Sequence, residues 1–301
     1  EDGSTYHDPT LRRGLDGRDQ KTPGWETDLL TDAAIDAITG ARQPFLLWLA
    51  YTAPHGGWPA GSADARYCSL YQGKDAREIA PPRHPPGGRD FNWNAYYAVI
   101  SQLDDAIGRL IAALEKAKLW ENTVVFVMGD NGLLCGTKGL ATKVFPWEES
   151  IRVPFLAAGG PVKAGGPLDA PVASIDLPAT WLDLAATSPV SPLAGRSLKS
   201  YLQRGKGDLK MAFAAWDDAR LVVSGGMRAE PYRLARGRRY KYIAWESDSQ
   251  ALYDWQADPR EERNLIEDKR LARLLAKLRE RLVDRMNRTG DRARTWPGSK
   301  G

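Results

Sequence analysis

An apolar run over residues 123–128, Thr-Val-Val-Phe-Val-Met, breaks off at Gly129-Asp130-Asn131-Gly132. So short and β-branched a run, bounded by glycines, predicts a buried strand of a parallel sheet. In such sheets ligands gather beyond the carboxyl ends of the strands. Asp130 and Asn131 therefore stand where a carboxylate and an amide oxygen can hold a hard cation. Lys143 lies twelve residues beyond Asn131, and Trp147-Glu148-Glu149-Ser150-Ile151-Arg152-Val153-Pro154 follows it. A cation and a lysine near one strand end suit an anionic substrate. Taken alone, Asp-Asn-Gly also reads as a turn.

The segments on either side extend the α/β pattern. Residues 27–39 read as a helix, with Leu30, Ala34 and Ile38 on one face, and residues 44–51 as a buried strand. Tyr96, Ile100, Leu103, Ile107, Leu110, Ile111 and Leu114 repeat at helical spacing, which predicts a long amphipathic helix. Residues 153–158 read as a strand and residues 176–185 as a helix, with a shorter helix over 198–203. Strand–helix–strand alternation implies a parallel sheet flanked by helices. Residues 56–92 form a long stretch rich in Gly, Pro and Arg without a clear period; loops of that length are usually functional. After residue 206 the texture changes. Short strands at hairpin spacing are expected over 211–216, 221–223, 227–234, 240–245 and 251–254, closed by a helix over 271–286. The expected division is therefore a larger α/β part, 1–205, and a smaller antiparallel-sheet-plus-helix part, 206–301.

The charge balance narrows the partners. The chain carries 42 basic and 38 acidic residues, a net charge of +4. The excess falls late, at Arg233, Arg236, Arg238, Arg239 and Lys241 and then over residues 269–294, and reads as a solvated surface with a mild attraction for polyanions such as sulfated glycans. No aromatic-interleaved basic stripe or nucleic-acid motif is present, so nucleic acid is not an expected partner. The two cysteines are too few and too far apart for a disulfide framework. No run reaches the length of a membrane-spanning helix.

The order of these pieces resembles the sulfatase family of the alkaline-phosphatase superfamily. Asp-Asn-Gly at a strand end, a Gly-rich loop, a lysine and Trp-Glu-Glu-Ser-Ile-Arg-Val-Pro fit its metal-binding strand and the loop after it. Residues 44–55, PFLLWLAYTAPH, resemble its strand ending in a Pro-His turn; 96–122 its long helix; 174–185, SIDLPATWLDLA, its Asp-Leu-x-Pro-Thr helix; 240–243 and 252–265 its C-terminal subdomain. The resemblance runs over about residues 24–285 and implies an alkaline-phosphatase-like α/β fold, a mixed or parallel sheet sandwiched by helices. It implies sulfuric ester hydrolysis with a divalent cation, calcium or alternatively magnesium, held in part by Asp130 and Asn131. It aligns His55 with the histidine that touches the sulfate and protonates the leaving oxygen, and Lys143 with the sulfate-binding lysine. Lys138, in Gly136-Thr137-Lys138-Gly139 where the family often has Gly-x-His-Gly, is a rival to Lys143. Trp58 either lines the substrate entrance or packs. Glu148 and Arg152 are expected to fix the loop by ion pairing or capping. The substrate expected is a sulfated small molecule or glycan, and a secreted or periplasmic setting is in keeping with the family.

Two family features are not found in these residues. There is no early acidic pair, and no Cys-x-Pro-Ser-Arg motif whose cysteine becomes the formylglycine nucleophile. Cys68 lies in Tyr-Cys-Ser-Leu and Cys135 in Leu-Cys-Gly-Thr. The chain therefore reads as a C-terminal portion of a sulfatase, inactive by itself, with the formylglycine expected in an N-terminal part. Asn131, where phosphoryl-transferring relatives often carry His, favours sulfate over phosphate. The other readings are a phosphodiesterase or phosphonate hydrolase of the same superfamily, and a non-catalytic protein that binds sulfated glycans.

Overall fold

The computed structural model describes residues 6–42, 44–81, 91–140, 142–163, 165–167, 169–205, 207, 209–221, 223 and 227–291. The chain forms two compact units, residues 1–124 and 125–301.

The first unit opens with a two-stranded antiparallel ribbon, β1 (Thr10–Arg12) and β2 (Asp19–Lys21). Four helices follow: α1 (Glu26–Gly40), α2 (Ala65–Tyr71), α3 (Ala76–Ile79) and α4 (Trp93–Lys116). Asn92 caps α4 by accepting from the Ala95 N–H, which satisfies one of the orphan donors of the first turn. Of the large apolar side chains at helical spacing along α4, all but Leu114 are only half-buried. A buried stripe runs instead through Ala95, Ala98, Val99, Gln102 and Ala106. Small residues let two helix backbones come close, so α1 and α2 pack on the alanine side. Polar groups lock that seam: Gln102 Nε2 donates to Asp28, its Oε1 accepts from the Asp64 N–H, and Arg109 bridges Asp28 and Asp32. The Tyr67 hydroxyl donates to Asp105 at 2.5 Å. Two expectations need correction here. Residues 44–51 form no strand among the described residues, and Phe45, Leu46, Leu47 and Trp48 are exposed. An extended segment becomes a strand only by pairing, and none of the described strands pairs with this one. The stretch 56–92 is not uniformly irregular, because it contains α2 and α3, each capped by an aspartate. Its residues 82–90 lie outside the described residues, His84 among them.

The second unit begins with β3 (Val125–Met128), followed by α5 (Glu148–Ile151), β4 (Phe155–Ala158), α6 (Asp176–Leu184) and α7 (Lys199–Arg204). β3 pairs with β4, from Val125 opposite Ala158 to Met128 opposite Phe155. The pairing is antiparallel, and every ladder among the described residues is antiparallel. The expected parallel neighbour does not appear. The strand is half-buried rather than buried. Its apolar side chains meet α7: Phe126 and Phe155 stack at 5.9 Å and pack with Leu198, Leu202 and Leu209.

An antiparallel meander completes the unit: β5 (Met211–Trp216), β6 (Tyr232–Gly237), β7 (Tyr240–Trp245) and β8 (Gln250–Asp254), in that spatial order. The strand expected over 227–234 begins only at Tyr232, and the one expected over 221–223 falls partly outside the described residues. Helix α8 (Ala272–Thr289) follows. Leu275, Leu278, Leu282 and Met286 recur at helical spacing and bury against Ala235, Tyr242, Ala244 and Leu252. Each such side chain contributes roughly 1.5–3 kcal/mol on burial. The opposite face of the sheet, Tyr232, Leu234, Ile243, Ala251 and Tyr253, receives Trp147 and Ile151. The meander is thus an apolar bed for the segment between β3 and β4.

Candidate functional site

Asp130 and Asn131 lie just beyond the carboxyl end of β3, where the run of apolar residues predicts them, and both are exposed. Asp130 Oδ1 accepts from the Asn131 N–H at 2.7 Å, and Asn131 Nδ2 donates to the Gly132 carbonyl at 2.9 Å. Asp130 Oδ2 and Asn131 Oδ1 are left without hydrogen-bond partners among the described residues. The glycines around them serve close approach. A Cβ on Gly132 would sit 2.0 Å from the Glu149 carbonyl oxygen, and one on Gly129 3.3 Å from Val153 Cβ. The Gly132 N–H donates to the Ser150 carbonyl at 2.8 Å. Asp-Asn-Gly is therefore the point where the strand end is laid against α5, and not only a turn.

Lys143 is half-buried in the loop that follows, and forms no hydrogen bond or ion pair among the described residues. The loop is closed by Leu134 N–H to Thr142 and Gly136 N–H to Leu140 carbonyl bonds. Cys135, Lys138 and Val144 hold positive φ, 49°, 55° and 72°. A β-branched residue at positive φ is a strained conformation that its surroundings must impose. Lys138, the rival to Lys143, is engaged elsewhere: its ammonium donates to the Arg260 and Glu261 carbonyls at 2.7 and 3.1 Å and lies over the Trp147 ring.

What holds this loop is a buried ionic cluster. Glu148, Lys241 and Glu261 side chains are at most 1% exposed. Arg236 grips Glu148 with two hydrogen bonds, 2.9 and 2.8 Å. Lys241 donates to the Pro146 carbonyl at 2.6 Å, lies 3.5 Å from Glu148 and forms an ion pair with Glu261. Glu261 also accepts from the Glu148 N–H at 2.9 Å. Burial by itself raises the Glu148 carboxyl; Arg236, Lys241 and Arg152 outweigh it, and the net shift is downward. For Glu261 burial wins and the shift is upward, against the pull of Lys241. The ion pairing expected of Glu148 is therefore present, with partners the sequence did not name. The late basic residues expected on a solvated surface also need correction. Lys241 is fully buried, Arg233 is 4% exposed and pairs with Asp217 and Asp291, and Arg236 is largely enclosed. A lysine inside the apolar alternation of Tyr240-Lys241-Tyr242-Ile243 is the one signal that was available.

Glu149 is buried as well, with neither carboxylate oxygen hydrogen-bonded among the described residues. Cys135 is buried, and burial together with the charge of Glu149 pushes its thiol up to about 12. A thiol so shifted is a poor nucleophile at neutral pH. Among the described residues no three His, Cys, Asp or Glu side chains converge as a metal cage. Asp130 Oδ2 and Asn131 Oδ1 suit a hard cation in kind, and they are two donors of the six to eight that calcium takes.

His55 and Trp58 belong to the first unit. His55 is exposed, follows Pro54, and its N–H donates to the Thr52 carbonyl at 2.8 Å while its own carbonyl accepts from the Tyr6 hydroxyl. The turn is thereby fixed through its backbone, leaving the imidazole to project. Trp58 is half-buried. Its indole N–H donates to the Pro54 carbonyl at 2.9 Å, and its ring lies against Phe91 and Tyr96 at 4.9 and 5.0 Å. It packs the turn that carries His55.

Comparison with known proteins places this geometry. The chain superposes on two solved structures over nearly all its length. One was solved with D-glucosamine-2-N,6-O-disulfate (TM-score 0.78, 21% identity, covering 98% of this chain and 75% of that one). The other is a protein of Bacteroides thetaiotaomicron glycosaminoglycan metabolism (TM-score 0.83, 18% identity, covering 96% and 64%). The fold is the alkaline-phosphatase-like α/β fold of those proteins. The sequence profile of the Sulfatase family matches residues 3–187, and that of the N-sulphoglucosamine sulphohydrolase C-terminal region matches residues 136–288. The chain belongs to the sulfatase family. Among its relatives are the ulvan-active sulfatase of Formosa agariphila, 27% identical over 82% of this chain and 49% of that protein, and the Δ4,5-hexuronate-2-O-sulfatase of Bacteroides thetaiotaomicron, 30% identical over 65% and 40%. The chain spans about half the length of the curated relatives it matches. No helix among the described residues is long and apolar enough to cross a membrane.

Proposed function

We propose that the protein is a sulfuric ester hydrolase acting on a sulfated saccharide, and that this chain supplies the leaving-group acid and part of the cation and sulfate site. The observation that carries the reading is the strand end itself. Asp130 and Asn131 present two oxygens without partners among the described residues, and Lys143, twelve residues on, is half-buried and forms no ion pair among them, in a chain of the sulfatase family.

In this reading Asp130 and Asn131 would hold a divalent cation, calcium or magnesium, which when bound withdraws charge from the sulfuryl oxygens. The formylglycine nucleophile is not among these residues, and none of the roles below depends on its position. Lys143 binds a sulfuryl oxygen, and its fixed ammonium stabilises the charge that develops there; because the loop is already pinned by Glu148, Lys241 and Glu261, little reorganisation is needed. His55 protonates the bridging oxygen as the ester bond breaks. The saccharide substrate is supported by relatives whose names refer to ulvan, hexuronate and N-acetylglucosamine; another relative is a choline-sulfatase.

The test is sulfate release from sulfated mono- and disaccharides by the protein as encoded in full. His55→Ala should lower kcat by about 10²–10⁴, and Lys143→Ala by about 10²–10³, with the loss at His55 shrinking for substrates with good leaving groups. Faster release of phosphate from a phosphodiester than of sulfate from any saccharide would overturn the reading.

A further inference from the structure

The end of α8 carries a basic cleft that involves none of the residues above. Its volume is about 300 Å³, and Arg196, Lys210, Arg281, Arg285 and Arg288 line it. Among the described residues the carboxylates lining it are Asp176 and Asp284. Asp176 is 2% exposed and already committed: its oxygens accept from the Ala173 and Arg196 N–H groups at 3.1 and 2.8 Å. Asp284 is exposed. Arg196 Nη2 lies 3.6 Å from Asp176, so these two pair. Arg281, Arg285 and Arg288 of α8 are left with Asp284 as the exposed carboxylate among the described lining residues.

The guanidiniums are also arranged. Arg285 is anchored by a 2.5 Å hydrogen bond to the Ala194 carbonyl and lies over the Phe213 ring at 5.7 Å. Arg196 is held by the Met211 carbonyl at 2.9 Å. Arg281 and Arg288, one helical turn either side of Arg285, are exposed and form no hydrogen bond or ion pair among the described residues. Burial first, and then the charge of Arg288, depress the proton affinity of Arg285 against the pull of Asp176, with a smaller contribution from Arg196. Three guanidiniums, Arg281, Arg285 and Arg288, on successive turns of one helix repel one another, and an anion relieves them. Planar guanidiniums match tetrahedral oxyanions with paired hydrogen bonds, and do so better than an ammonium does.

We propose that this cleft, formed by α6, β5 and α8, binds a sulfate group, either free sulfate or the sulfate of a saccharide. The volume is at the lower end of small-molecule sites, about 300–1,000 Å³, so it admits an oxyanion and the sugar bearing it rather than the backbone of a duplex. Two arginines fixed by backbone carbonyls orient the anion, and the two exposed ones close over it.

Isothermal titration of the full chain with sodium sulfate, a sulfated heparin disaccharide and the same disaccharide desulfated tests this. The sulfated disaccharide should bind, and more weakly as sodium chloride rises from 20 to 200 mM, roughly as screening requires. Equal affinity for sulfate alone would identify the free ion as the ligand, and tenfold tighter binding of the disaccharide would identify the saccharide. Arg281→Gln/Arg288→Gln should weaken binding at least tenfold, whereas Asp130→Ala leaves it unchanged, which separates this site from the proposed catalytic one. Asp284→Asn should tighten binding, a gain that misfolding cannot imitate. Equal binding of the desulfated sugar, loss of binding in Asp130→Ala but not in the arginine variant, or tighter binding of a DNA duplex would overturn the proposal.

Discussion

At the scale of single residues, the decisive group is Glu148. Its carboxylate is shared by Arg236 and Lys241, while its backbone N–H is held by Glu261. Removing one member of a buried ionic cluster leaves its partners uncompensated, at a cost of about 3–5 kcal/mol. Glu148→Gln and Lys241→Met should each lower stability by that order in urea titrations. The pH dependence has a definite sign. Glu148 is held below its usual value of 4.5 in the folded state, so the stability it contributes is complete above that value and is lost as pH falls through the depressed one. Glu148→Gln should flatten the acid limb of the stability–pH curve; an unchanged limb would show that Glu148 is not the group responsible. That Glu148 would ion-pair was legible along the chain; its partners were not. Lys241 and Glu261 lie 93 and 113 residues from Glu148, and a lysine among late basic residues reads as surface until its partners are known.

At the scale of elements, the strand–loop–helix segment from β3 to α5 sets the position of Asp130 and Asn131. Its existence was legible: β-branched residues ending in glycines announce a strand and its end. Its partner was not, because a single apolar run specifies a strand without specifying its neighbour's direction, and β4 lies antiparallel to it. In α4 the same limitation takes another form. The large side chains dominate the periodicity, yet most of them are only half-buried while Ala95, Ala98 and Ala106 are buried, since helix packing rewards small residues that periodicity hardly weights. Gly132 permits the contact between strand end and α5. Gly132→Ala would drive a Cβ into the Glu149 carbonyl, an atom of the backbone that cannot simply rotate away. We expect a loss of about 1–3 kcal/mol, as for overpacking, visible as a lower Tm. It should also weaken cation binding beyond what the lost stability explains. Gly40→Ala, where nothing lies within 4 Å, is the control and should be neutral or stabilising.

At the scale of the whole molecule, the proposed function turns on chemistry of which these 301 residues show a part. Neither cysteine stands in a formylglycine context, and Cys135 is held as a thiol. The chain by itself should therefore show no turnover of a chromogenic aryl sulfate; turnover abolished by Asp130→Ala would mean that another nucleophile serves. Calcium should bind the chain with a dissociation constant no tighter than about the millimolar range, where sites poor in ligand charge fall. Calorimetry giving a micromolar value would show that the cation site is complete within these residues and that its ligands extend beyond Asp130 and Asn131.

The sequence by itself determined local features: most of the strands and helices of the second unit, where a carboxylate and an amide meet a strand end, and the motif order that the Sulfatase profile matches. These follow from side-chain periodicity, glycine placement and the short-range geometry of the backbone. Only the tertiary structure decided which basic residues are buried, that Lys138 is tied to residues 260 and 261 while Lys143 is not, and that four arginines and a lysine share one cleft. Those outcomes depend on contacts across long stretches of chain. Burial and charge pairing are properties of the surroundings a fold assembles, and the same lysine is a solvated cation or the centre of an ionic cluster according to what is packed around it.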